Sequence, residues 1–198
     1  MSPDEIGERH AALLEEVGPG VTVVAATKYV SLEEMAVLVE AGIDVVGENR
    51  AQDLAAKHTV YGDAFRWHFI GHLQSRKAAI VNGTCELVHS VDSLSAARRV
   101  EIPTLVQVNL SGETSKSGVA PEQLDAFLDA CSARVVGLST MPPLTETPEG
   151  SRPYFRRLRE LAETFGLAQL SMGTTQDYRV AVEEGATLVR VGTLLWRG

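Results

Sequence analysis

Eight short apolar segments, rich in β-branched residues and separated by stretches of helical character, recur along the chain, and this alternation constrains the fold more than any other feature. They fall at residues 21–28, 43–49, 66–71, 86–90, 104–109, 134–138, 168–171 and 187–192. Apolar runs of this length fit strands buried on both faces, as parallel sheets require. Strands that alternate with helices build βα units, and eight such units predict an α/β fold, a closed (β/α)8 TIM-type barrel. A doubly wound open sheet is the runner-up. Two pieces read as copies of one unit: Val39-Glu-Ala-Gly42 before Val45-Val-Gly47, and Val182-Glu-Glu-Gly185 before Leu188-Val-Arg-Val-Gly192. Each stops a helix on glycine and re-enters a strand.

The intervening helices carry their own signals. Residues 3–17 form an amphipathic lead helix ended by Gly18-Pro19-Gly20, and Ser31-Leu-Glu-Glu34 has capping-box spacing, so a helix is expected from Ser31. Further helices are expected at 50–58, 73–81, 93–100, from Pro121 to Cys131, in a long segment ending at Phe165-Gly166, and at 176–184. Too few residues follow the eighth strand for a full covering helix, so the lead helix is expected to cover that part of the barrel.

With 198 residues, 44% of them hydrophobic, the chain is long enough for one sizeable core and a single domain spanning 1–198 is expected. No apolar run approaches the ~20 residues of a membrane span, and Met1-Ser-Pro-Asp-Glu5 lacks a basic, apolar leader. A cytoplasmic location without membrane attachment is expected. Cys85 and Cys131 suggest neither a disulfide framework nor a zinc site and read as small buried hydrophobes. The formal charge of −8 argues against a nucleic-acid partner. Arg98-Arg99 and Arg156-Arg157 with Arg159 read as solvated helix faces.

In βα architectures chemistry collects at the carboxyl ends of the strands. Those positions carry Lys28, Glu48-Asn49, Gly71-His72, Ser90, Asn109 with Ser111, Ser139-Thr140, Ser171 with Gly173, and Gly192-Thr193. Lys28 alone also fits a surface lysine whose stem packs on the barrel rim. Ser171-Met-Gly-Thr-Thr175 and Arg190-Val-Gly-Thr193 follow or close strands seven and eight, where this fold commonly holds a phosphate on backbone N–H groups and hydroxyls. Glycine there admits close approach of the backbone, although each glycine also fits an ordinary turn. Leu188, Arg190 and Gly192 share one strand face, so a guanidinium is flanked by an aliphatic residue and a glycine. A charge so placed must be paired or bind a ligand.

A lysine, a phosphate pocket and an arginine at the barrel mouth together describe a pyridoxal 5'-phosphate (PLP) site, in which they serve as Schiff-base amine, phosphate cradle and partner of the ring nitrogen. A class I aldolase is an alternative, but its chemistry does not require Arg190. Other constellations are weaker. Gly71 and the strand-to-loop transition put His68 and His72 off one helical face, against a metal pair, and His89 and His10 have no partner in sequence. Cys85 lacks a local activating group, and Trp67 and Trp196 read as packing residues.

Thr27-Lys28, Gly47-Glu-Asn49, Trp67-His-Phe-Ile-Gly71 with Leu73-Gln74 and Lys77, Lys116-Ser-Gly118, Ser171-Met-Gly173 with Asp177, and Val189-Arg-Val-Gly-Thr193 occur in this order along nearly the whole chain. The set resembles the signatures of the PLP homeostasis proteins, single-domain relatives of the alanine racemase barrel. The resemblance implies a PLP carrier without established turnover, which holds the cofactor as a Schiff base on Lys28 and releases it to PLP-dependent apoenzymes. It further implies that Arg190 faces the pyridine nitrogen, that Ser171, Gly173, Gly192 and Thr193 hold the phosphate, that Asn49 lies near the ring, and that the protein is a monomer. Four positions depart from the usual pattern: Arg76 replaces an asparagine, Ser139 a methionine, and Thr174-Thr175 a Met-Ser pair, a change that keeps a hydroxyl and is expected to spare phosphate binding. The chain is also short between Arg99 and Pro103.

A guanidinium opposite the ring nitrogen cannot accept a proton, which leaves the ring a weak electron sink. Partial desolvation beside cationic Arg190 is expected to help Lys28 lose its proton. Racemases with this barrel add a β-rich domain bearing an opposing tyrosine base, for which the residues after Gly192 leave no room. An open site with exchangeable cofactor is therefore expected, ahead of the alternative of a racemase-like enzyme acting on a small amino acid.

Overall fold

The computed structural model describes residues 2–113 and 116–196. Its frame is a closed barrel of eight strands: β1 (Thr22–Ala26), β2 (Val45–Glu48), β3 (Arg66–Phe69), β4 (Leu87–Val91), β5 (Thr104–Gln107), β6 (Val135–Ser139), β7 (Gln169–Thr174) and β8 (Leu188–Val191). Each strand is parallel to its neighbours and β8 pairs back onto β1, with Val24 opposite Arg190. The open sheet is thereby excluded. The helices are α1 (Pro3–Val17), α2 (Met35–Glu40), α3 (Ala51–Tyr61), α4 (Ala78–Asn82), α5 (Leu94–Ala97), α6 (Leu124–Ala130), α7 (Arg152–Thr164), α8 (Tyr178–Glu183) and α9 (Thr193–Trp196).

Alternation along the strands separates two apolar cores. Val23 and Ala25 join the helices in the larger cluster, while Val24, Val45, Leu87, Leu105 and Leu188, with Ile70 and Val136, form a smaller one made of strand and strand-end residues alone. The smaller cluster is the barrel interior. Gly47 points inward too, and a Cβ there would come within 2.9 Å of Ile70 and Val24.

The lead helix covers the seam beside β8 as its sequence predicts. Arg9 donates to the Leu195 carbonyl at 3.5 Å, Tyr178 donates to Glu16 at 2.8 Å, and Arg179 also pairs with Glu16. The Ser31 capping box forms in both directions, yet residues 32–34 stay a turn and α2 begins at Met35. The arginines of α7 are not simply solvated: Arg152 and Arg156 reach Glu184 at 3.1 Å and Arg159 reaches it at 3.5 Å, on a carboxylate only 6% exposed. Cys85 is buried, whereas Cys131 is only partly so. Burial pushes the Cys85 thiol up to about 12, which makes it inert. Trp67 packs edge-on to Phe65 and donates to the Gly62 carbonyl at 2.8 Å, a packing role.

Candidate functional site

The carboxyl ends of the strands surround a cleft of about 550 Å³. Lys28, Asn49, Arg190, Gly192 and Thr193 all line it. They come from β1, β2 and β8, which are consecutive around the closed barrel, so closure brings together residues up to 165 positions apart in sequence only because β8 returns to β1. Lys28 is exposed, with its ammonium 4.6 Å from the centroid of the Tyr29 ring. The desolvation expected of it is therefore not present. Its loop is anchored from behind: Thr27 donates to Glu48 at 2.6 Å, and the Lys57 ammonium donates to the Thr27 carbonyl at 2.8 Å.

Arg190 has the burial that its place in the strand implies, at 8% exposure. Its guanidinium donates to the Ser171 carbonyl at 3.0 Å and hydroxyl at 2.5 Å, to the Thr140 carbonyl at 2.9 Å, and to Met141 Sδ at 2.8 Å. All of these acceptors are neutral. Burial lowers the pKa of Arg190 to about 10, opposed by the charge of Asp177. A guanidinium clamped by neutral acceptors, with no carboxylate bonded to it, keeps its direction, which suits a neutral ring nitrogen or an anionic ligand.

Two residues expected at the phosphate, Ser171 and Gly173, do not line this cleft. β7 continues three residues beyond Ser171, to Thr174, because the Asp177 carboxylate takes the Thr174 N–H at 2.8 Å and its hydroxyl at 3.1 Å and ends the strand there. Ser171 is thus fully buried inside the barrel, beneath Arg190 and bonded to His89 Nδ1 at 2.7 Å. Gly173 has φ 88°, and a Cβ on it would come within 2.5 Å of Ala181 and 3.0 Å of Tyr178. This glycine admits the close approach of α8.

Thr175 belongs to the segment that sequence places at the phosphate, though it is not among the named site residues. It lines the cleft, and its hydroxyl accepts from the Gly192 N–H at 3.2 Å, which joins the loops after β7 and β8. The signal available was the retained hydroxyl in Thr174-Thr175, the pair noted as a departure. Of the other departures, Ser139 is buried and donates to the His89 carbonyl, Thr174 bonds to Asp177 as above, and exposed Arg76 donates to Gln74 at 3.2 Å. His89 also has a partner that sequence did not reveal, His68, at 2.9 Å. His72 is exposed and pairs with Asp92 at 3.4 Å, and among the described residues no cluster of three metal-ligating side chains occurs.

The residues present fit PLP. Asn49 Oδ1 is buried without a hydrogen-bond partner at the edge of the cleft, a polar atom in want of a donor. Thr175, Gly192 and Thr193 offer hydroxyls and backbone N–H groups suited to a phosphate, Lys28 an amine for an aldehyde, and Arg190 a donor for the far side of a ring.

Residues 2–198 match the family model described as alanine racemase, N-terminal domain. The pyridoxal phosphate homeostasis protein of Aquifex aeolicus is 38% identical over 212 residues, covering 96% of this chain and 93% of that protein. The protein of the same name from Pseudomonas aeruginosa is 41% identical over 172 residues, covering 79% and 75%. The chain belongs to the pyridoxal phosphate homeostasis protein family. Among solved structures, PipY of Synechococcus elongatus with PLP bound superposes on this family member with a TM-score of 0.86 at 32% identity, over 96% of this chain and 99% of that one. Alanine racemase from Corynebacterium glutamicum gives a TM-score of 0.76 at 17% identity, over 99% of this chain and 61% of that one, a likeness of fold alone. Among the described residues no helix of this homeostasis-family barrel is long and apolar enough to cross a membrane.

Proposed function

We propose that this protein binds PLP reversibly in the cleft at the carboxyl end of the barrel and serves cytoplasmic PLP homeostasis as a monomer, releasing the cofactor to apoenzymes. One observation carries the reading: the exposed Lys28 amine and the buried, neutrally clamped Arg190 guanidinium line the same cleft, with Thr175, Gly192 and Thr193 between the loops that hold them. The PLP found in PipY supports it.

When bound, PLP supplies an aldehyde that an amine can link to reversibly and a pyridine ring that withdraws electrons. Lys28 provides the amine, and its exposure lets the link form and break in contact with solvent. Thr175, Gly192 and Thr193 hold the phosphate with hydroxyls and backbone N–H groups. Asn49 takes a donor at the edge of the ring. Arg190 would donate toward the ring nitrogen and, having no lone pair with which to accept a proton, would keep that nitrogen neutral, which disfavours carbanion chemistry and suits a carrier.

The test is the visible absorption of the purified protein with added PLP, beside Lys28→Ala, before and after borohydride reduction. A band fixed by reduction in the wild type alone is expected. No band in the wild type, or an equal band in Lys28→Ala, would overturn the reading. Formation of D-alanine that is lost in Lys28→Ala would convert the carrier into an enzyme.

A further inference from the structure

A file of buried polar groups runs from the cleft through the barrel to its opposite face. Arg190 donates to the Ser171 hydroxyl at 2.5 Å, Ser171 meets His89 Nδ1 at 2.7 Å, His89 Nε2 meets His68 Nδ1 at 2.9 Å, and His68 Nε2 meets Glu86 Oε1 at 2.9 Å. Glu86 stands just before β4 and, with Arg66 and Gln169, lines an opening of about 340 Å³ at the amino-terminal mouth. Between the two ends, Ser171, His89 and His68 are at most 2% exposed.

The carboxylate end, with both rings neutral, fixes every proton in this file. A guanidinium can only donate, so the Ser171 oxygen accepts from it, and the Ser171 O–H donates to His89 Nδ1, which in a neutral ring with its proton on Nε2 can only accept. A carboxylate can only accept, so His68 carries its proton on Nε2 and accepts at Nδ1, where His89 Nε2–H donates. With both rings neutral, all four hydrogen bonds run in one direction without a conflict. Burial holds His89 well below its usual range, reinforced by His68 and Arg190; burial also lowers His68, with Glu86 opposing. The charged groups facing the pair from neighbouring elements are Glu86, Arg66, Asp44 and Arg190. Arg66 reaches Glu86 at 2.7 Å, and although burial raises the Glu86 carboxyl, Arg66 and then His68 bring it down, so it stays ionised.

We propose that Ser171, His89, His68 and Glu86 are positioning residues for Arg190, a one-way hydrogen-bonded relay that ties the guanidinium at the cofactor cleft to a carboxylate on the opposite face of the barrel. Polarisation passes along such a chain, because each acceptor made more basic by its neighbour strengthens the next bond. The relay thus adds a distant carboxylate to the nearer charge of Asp177 without placing one in the cleft, where it would compete for the lysine or repel the phosphate. Its use in holding PLP rests on the function proposed above; its existence in the free protein does not.

The experiment is nitrogen-15 NMR of the histidine rings and the Arg190 guanidinium in the full chain without PLP, for the wild type, Glu86→Gln, Ser171→Ala and the double variant. Both histidines are expected neutral at pH 7 with the proton on Nε2. Glu86→Gln is expected to shift the Arg190 resonances when Ser171 is present and to leave them in place when it is alanine. Either ring charged or protonated on Nδ1, or equal shifts in both backgrounds, would overturn the relay. A coupling across the hydrogen bond between the two rings reads the same order in the wild type alone, should a variant fail to fold. In PLP titrations Glu86→Gln is expected to weaken binding about threefold to tenfold with Ser171 and not without it. A wild type that takes up no PLP sinks the proposed function, while the NMR outcomes still decide the relay.

Discussion

Lys57 Nζ lies 2.5 Å from Glu48 Oε1 and 2.8 Å from the carbonyl oxygen of Thr27, so a buried ion pair stands directly behind the loop that carries Lys28. The Glu48 side chain is fully buried and that of Lys57 is 8% exposed. Removing one charge strands the other, and Lys57→Met is expected to destabilise the fold by about 3–5 kcal/mol. Urea unfolding measures it. Replacing both partners by apolar residues should cost less than the single change, and a double variant less stable than Lys57→Met would contradict this account.

Gly173 packs closely against α8. Its φ of 88° and the 2.5 Å that would separate an added Cβ from Ala181 mean that Gly173→Ala must either change the backbone or push α8 outward. The expected loss is about 2–4 kcal/mol, from backbone conformation and overpacking together. Thermal unfolding is the check. A variant of wild-type stability that bound PLP poorly would return Gly173 to the phosphate.

Asn49 should separate stability from binding. Because its Oδ1 has no partner in the free protein, Asn49→Leu is expected to leave stability unchanged or to raise it slightly while weakening PLP binding. Denaturation midpoints and PLP titration on the same samples test both halves. A large destabilisation would mean that the oxygen is satisfied in the free protein after all.

The buried histidines set the response to acid. His89, His68 and His10 all have folded pKa values depressed chiefly by burial below the usual 6.5. The unfolded chain therefore binds more protons than the folded one as pH falls below about 6.5, and stability declines from there toward the lower folded values. Above 6.5 this contribution is fully present. Each histidine can add a slope of up to about 1.4 kcal/mol per pH unit within its window. Urea midpoints between pH 7.5 and 5 should fall, with a shallower fall in His10→Gln; a flat profile would refute the assignment.

Much of the fold was legible because local chemistry and tertiary structure agree. The helix stop at Gly18, the Ser31 capping box and the glycine re-entries at Gly42 and Gly185 depend on a few neighbouring residues. The cleft residues Lys28, Asn49, Arg190, Gly192 and Thr193 were legible for a related reason: they end strands, and strand ends in a closed parallel barrel share one face. Ser171 was not placed correctly, because the end of β7 depends on a carboxylate six residues further on that captures Thr174.

By itself, the sequence determined the βα alternation, most of the strand-end inventory and the buried arginine, all of which follow from short-range periodicity and the cost of an unpaired charge. Tertiary structure alone decided which polar residues share the barrel interior. His68, His89, Ser171 and Arg190 lie on four different strands, and no spacing along the chain encodes a contact that exists only once the sheet closes and brings the strands' inner faces within hydrogen-bond distance.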